Sequence, residues 1–164
     1  GPLLEEEDQT LLEYNLIPTL SDESELNRFI KLGKKQGKPL PIHLKVDTGM
    51  GRMGCWWENA PSLLEKVLHT AEVELQGVLT HFPLPNDFDF TNLQRERFLE
   101  VIRPAISARP NLLVHADNSS SLQSMGRNSP FNGIRIGLLQ FGVAPPRGSL
   151  LSDIEVEPVL SFFS

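Results

Sequence analysis

Cysteine occurs once in these 164 residues, at Cys55, so no internal disulfide framework is available and a reducing, cytosolic setting is the default. No apolar run is long enough to span a bilayer, and the N-terminus lacks the basic-then-apolar layout of a secretory signal. Basic charge is in deficit. Fifteen Lys and Arg against 21 Asp and Glu leave a net charge of −6, with a pI near 5.2 and no basic stripe. That balance excludes a polyanion-binding surface, so neither nucleic acid nor membrane is an expected partner. The four histidines lack metal-ligand spacing, and no metal is expected. Low-complexity tracts and short repeats are absent as well.

What is present is a switch between two periods. "LLEEEDQTLLEY" reads as an amphipathic helix. "LIPTLS" is a weak strand candidate, with Ser21 as N-cap of a helix over "DESELNRFIKLGKKQG" that ends at Gly37 and Pro39. "IHLKVD" alternates: Ile42, Leu44 and Val46 on one face, His43, Lys45 and Asp47 on the other. "PSLLEKVLHT" is a short helix and "LQGVLTHF" a strand. "TNLQRERFLEVIRPAI" is a helix with the stripe Leu93, Phe98, Val101 and Ile102. "NLLVHADN" and "GIRIGLLQFGV" complete five strands.

Strands alternating with helices imply an α/β fold with a parallel sheet and right-handed crossovers. A central strand of an open sheet is apolar on both faces, whereas one polar face suits a barrel strand. The expectation is a partial (β/α)8 barrel of the TIM type. A full barrel needs eight strands and about 250 residues, so this chain reads as the later part of one. Residues 1–150 would be barrel, and 151–164 would begin a further β domain. A five-strand arc has open edges. Polar residues collect at the strands' C-terminal ends: Asp47, His81, Asp117, Asn118 and Ser119. In α/β folds that edge holds the site.

"DTGMGRMG" carries Gly49, Gly51 and Gly54 at the spacing of a dinucleotide fingerprint. The strand before it is present, but "CWWENAPS" reads as loop where a helix should open, and Glu72 and Glu74 precede the next strand instead of ending it. The loop's cation is more informative. Arg52 can approach an anion bidentately, or it can pair with Asp47; spacing leaves both open. His81 taken alone reads as a core histidine, and Arg135 as half of a barrel-interior ion pair. Lys45 is the sole lysine on a strand facing the presumed site, which makes it the bottom-up candidate for a Schiff base. Cys55 reads as a small buried filler.

Four segments taken together resemble the alanine racemases, which use pyridoxal 5'-phosphate to interconvert L- and D-alanine, a peptidoglycan precursor. "HLKVDTGMGRMG" is similar to the family's most recognisable motif, and "GVLTHF", "HADNSSSL" and "FNGIRIGLLQFGV" follow in its order at nearly its spacing. The resemblance implies that Arg52 contacts the cofactor's phenolic oxygen and the substrate carboxylate. It implies that Lys45, often carbamylated, holds Arg52, and that His81 hydrogen-bonds the next arginine. Arg135 would donate to the pyridine nitrogen. Ser119, with the backbone at Gly137 and Leu138, would form part of the phosphate cup, flanked by Asn118.

The chemistry suits these residue types. A hydroxyl and main-chain N–H groups serve a phosphate. A guanidinium stays protonated, so it leaves the pyridine nitrogen without a proton and the ring a weaker electron sink. The family's Schiff-base lysine and its catalytic tyrosine, which reaches across a homodimer, have no counterpart among these residues; Tyr14 lies on the first helix. The expectation is a chain inactive by itself, whose complete enzyme takes a small amino acid substrate. The alternatives are a non-catalytic module that binds pyridoxal phosphate or phosphate, and an interaction protein pairing through its open barrel edge.

Overall fold

Alternation along the second strand organises the molecule. A computed structural model describes residues 3–121, 131–143, 151 and 153–159. Its elements run α1 (Asp8–Glu13), β1 (Thr19–Leu20), α2 (Glu23–Gln36), β2 (Leu40–Asp47), β3 (Cys55–Trp56), α3 (Ala60–Leu68), β4 (Val73–Leu79), α4 (Phe88–Ala108), β5 (Leu113–Asn118) and β6 (Gly133–Arg135). Short 3-10 turns precede α1 at Glu5–Glu7 and follow β6 at Leu138–Phe141. Every strand pair is parallel, in the order β1-β2-β4-β5-β6, and β3 adds a short bridge to the end of β2. This is the expected arc of a barrel.

The helix-facing side of β2 is Leu40, Ile42, Leu44 and Val46, all buried in one core with Phe29, Leu64, Val78 and Phe98. The opposite side carries Pro41, His43, Lys45 and Asp47. One face thus supplies the stabilising apolar burial and the other is left for chemistry.

Several boundaries differ from the sequence expectation. The N-cap of α2 is Asp22, whose extended backbone lets its carboxylate accept from Glu25 N at 2.9 Å. Ser21 instead donates its own N–H to the Glu25 carboxylate. The expected strand "GIRIGLLQFGV" stops at Arg135. Beyond it, Leu138–Phe141 turn as a 3-10 helix with Leu138 and Phe141 exposed, because consecutive leucines fit no alternation and β6 has no neighbour on its far side among the described residues. Cys55–Trp56, expected as loop, pairs with Val46 and Asp47. On α4 the buried positions are Thr91, Gln94, Phe98, Val101, Ile102 and Ala105, while Leu93 is 42% exposed. Leu93 stands five residues before Phe98, off the stripe; Gln94 stands four before it, on the stripe. The boundary expected at residue 150 lies outside the described residues; beyond it residues 151 and 153–159 are described and hold no strand.

Gly33 lets α2 approach the sheet end closely. A Cβ there would lie 2.1 Å from the backbone oxygen of Glu72. Alanine in a helix gains about 1 kcal/mol over glycine in propensity, whereas overpacking against backbone costs about 1–3 kcal/mol. Gly33→Ala is therefore expected to lower the unfolding free energy by about 1 kcal/mol or more. Urea denaturation checks this; an equal or raised midpoint would contradict the packing.

Candidate functional site

The glycine loop answers the first question posed by the sequence. Asp47 ends β2, and its carboxylate accepts from Gly49 N at 2.9 Å and from Gly51 N at 2.9 and 3.2 Å. These N–H groups are spent on the protein's own anion, and the next helix opens only at Ala60, so the loop is no pyrophosphate cradle. The same bonds take Asp47 away from Arg52. Among the described residues no ion pair involves Arg52, which stands exposed on the loop.

Arg135 is the centre of the site. Its Nη1 donates to the carbonyl oxygen of His115 at 2.7 Å and to His115 Nδ1 at 2.9 Å. Its Nη2 donates to the carbonyl of Thr80 at 2.7 Å, to that of Ala116 at 3.3 Å and to His81 Nδ1 at 3.3 Å. Arg135 is therefore no half of a simple ion pair; strand carbonyls and two imidazoles hold it. Burial lowers the proton affinity of Arg135; Asp117, buried next along β5, opposes this, and Arg52 adds to it.

The hydrogen-bond directions fix the imidazole tautomers. Because arginine only donates, Nδ1 of both His81 and His115 accepts, and the proton of each ring sits on Nε2. His115 Nε2 then donates to His43 Nδ1 at 3.1 Å. This bond joins β2 to β5 across β4, and Gly77 makes it possible. A Cβ at residue 77 would lie 2.8 Å from the His43 ring. His115 and His43 were missed in the sequence. Their signal was weak: both stand on the polar alternation of their strands, and Gly77 pairs with His43.

Electrostatics matches this wiring. Burial first, then Arg135, lowers His81 and His115 each to about 4; Arg52 and Lys45 add to the effect at His81, and His43 at His115. Burial also lowers His43. Burial, Arg52 and Arg135 together lower Lys45 against the opposing pull of Asp47. Lys45, Arg52, His81 and Arg135 thus sit within one another's fields.

A cavity of about 360 Å³ opens beside Arg135, lined also by His81, Phe82, Ser119, Gly137 and Leu138. Gly137 N donates to Ser119 Oγ at 3.1 Å, and a Cβ on Gly137 would meet nothing within 4 Å. Asn118 lines the same cavity, but its amide is spent locally, donating to Phe82 O and accepting from Ser120 N and Ser121 N. A second cavity of about 470 Å³, at Glu74–Gln76 and Arg109–Leu112, is lined by none of the residues expected to carry chemistry.

The match to known proteins settles the family. The family described as alanine racemase, N-terminal domain, matches residues 1–145. The chain belongs to the alanine racemase family. Alanine racemase of Treponema denticola is 36% identical over 165 residues, covering 97% of this chain and 43% of that protein. The chain thus spans less than half the length of the curated relatives it matches. Among solved structures, alanine racemase from E. faecalis superposes with a TM-score of 0.75 at 27% identity, covering 96% of this chain and 43% of that one. The structure from Clostridium difficile 630 gives 0.83 at 19% identity, over 96% and 42% of the two chains, a likeness of fold. The arc of strands is accordingly part of an alanine racemase barrel.

Both site imidazoles bind a proton less readily in the folded chain than in the unfolded one, so acid favours unfolding. Stability from this source is complete above about pH 6.5 and is lost as pH falls through about 4. Urea midpoints are expected to drop across that window, and the drop is expected to shrink in a His81→Asn, His115→Asn double variant. An identical pH profile in the variant would contradict the neutral, buried imidazoles.

Proposed function

We propose that this chain is the part of an alanine racemase that seats pyridoxal 5'-phosphate by its ring nitrogen and phosphate and grips the carboxylate of alanine. One observation carries the reading. The guanidinium of Arg135 spends its four terminal N–H groups on carbonyls and imidazoles, and among the described residues only its Nε–H has no partner, beside the cavity that also holds Ser119 and Gly137. The residues fit the cofactor: one free donor that never gives up its proton, one hydroxyl, one glycine N–H and open space for an anion.

Pyridoxal phosphate, when bound, supplies an electron-accepting ring that acidifies the α-hydrogen of an amino acid. The chain's own residues do the rest of what falls to this segment. Arg135 would donate to the ring nitrogen while keeping its own proton, leaving that nitrogen unprotonated. Ser119 Oγ and Gly137 N, bonded to each other here, would hold the phosphate together with Leu138 N. His81 holds the guanidinium's edge. Arg52, free of Asp47, takes the substrate carboxylate, and Lys45 stands behind it as a supporting group, its proton affinity lowered by burial and two arginines. A structure of the Bartonella henselae racemase, 21% identical with a TM-score of 0.68 over 87% of this chain, is described with covalently bound pyridoxal phosphate. The proton-moving pair belongs to parts of the family that this chain does not span, and the homodimer is a property of the complete enzyme.

Titrating the chain with pyridoxal phosphate, read by 31P NMR or calorimetry, is expected to show binding that inorganic phosphate competes away. Ser119→Ala should weaken it about tenfold, the worth of one hydrogen bond to a charged group. Borohydride is expected to attach the cofactor to no residue; attachment at Lys45 would overturn its supporting role. Absence of any binding at millimolar cofactor would count against the reading.

A further inference from the structure

Gln94 has no place in the recognition of cofactor or substrate described above, yet it is fully buried on the inner stripe of α4. That stripe changes character along its length. Phe98, Val101, Ile102 and Ala105 pack into the core, while Thr91 and Gln94, nearer the strand ends, are polar. The Gln94 amide nitrogen donates to Thr48 Oγ1 at 3.2 Å and to the carbonyl of His81 at 3.3 Å. Its oxygen has no partner among the described residues. A buried amide left half satisfied costs stability that an apolar side chain of the same length would not. The two bonds it does make go to residues directly beyond β2 and beside Arg135.

The chain of contacts continues inward. Thr48 Oγ1, having accepted from Gln94, is free to donate to Thr80 Oγ1, 2.9 Å away and buried. Thr80 offers its carbonyl to Arg135 Nη2. His81, whose carbonyl Gln94 holds, offers its Nδ1 to the same nitrogen. Thr48 is also held from α4 by Arg97, which donates to its carbonyl at 3.0 Å. One helix therefore governs both acceptors that meet Nη2 from the β4 side.

We propose that Gln94 is a positioning residue for the Arg135–His81 pair, acting from α4 through Thr48, Thr80 and the His81 backbone to set where the guanidinium points. The inference rests on the reading of that pair as the end of the site that meets the pyridine nitrogen. It adds to it a residue that touches neither cofactor nor substrate.

Long-range 1H–15N spectra of the 164-residue chain report the tautomer and titration of each imidazole. The charged groups acting on His81 are Arg135 from β6, Arg52 from the glycine loop and Lys45 from β2. In the wild type His81 is expected to carry its proton on Nε2 and to titrate near 4. Gln94→Met keeps length and removes the donor. It is expected to mix the His81 tautomers and move the midpoint up toward the ordinary histidine value of about 6.5, with the circular dichroism spectrum unchanged. Should Gln94→Met fail to fold, Thr48→Val cuts the same chain one link on and should give the same shift, and Thr48→Ser should restore the wild-type ring. A His81 ring with unchanged tautomer and midpoint in either folded variant overturns the proposal. Pyridoxal phosphate binding by the wild type is judged separately. No binding with a displaced His81 in the variants sinks the cofactor assignment alone; binding with an unmoved His81 sinks the role of Gln94 alone.

Discussion

A buried guanidinium sets the terms for this structure. Arg135 cannot leave the positive charge behind, since its side chain does not deprotonate in proteins, and burying it without partners would be costly. The structure meets that demand with three carbonyls, two imidazoles and the nearby charge of Asp117. Each of these acceptors lies on or directly beyond β4 or β5. The same cation, after burial, lowers the proton affinity of both histidines, and its guanidinium lines the adjoining cavity.

The same logic explains the division of charge at the mouth of the arc. Asp47 and Asp117 are the anions within the motif segments, and both are occupied: Asp47 by loop N–H groups, Asp117 by Ser121 and the field of Arg135. Burial first, and then repulsion from Arg52 and Arg135, lowers the proton affinity of Lys45. A site with its carboxylates internally engaged and its cations exposed to one another favours an anionic visitor, which suits both a phosphate and a carboxylate.

Much of this was legible in the sequence. The alternation on 42–47 announced a two-faced strand, and the polar residues at strand ends announced the functional edge. Arg52 on the glycine loop and Lys45 on the polar face of β2 stood out from spacing, and His81 and Ser119 from their places at strand ends; the roles expected of these four, and of Arg135, came only from the resemblance carried by four motifs taken together. What stayed hidden depended on distance along the chain. The bond between His43 and His115 spans 72 residues and needs Gly77 on a third strand, so no local pattern announces it. Gln94 was masked by Leu93, which hydrophobicity favours and helical spacing rejects. The shortness of β6 was missed because Ile134, Ile136 and Leu138 alternate well as text, while ladder pairing ends at Arg135.

The seating of Arg135 also makes the docking of β6 conditional. β6 carries the arginine, but the acceptors belong to β4, β5 and the residues that follow them. A β6 docked against misaligned strands would hold an unsatisfied cation against the sheet, so the pairing of β4 with β5 and the place of β6 beside them stabilise one another.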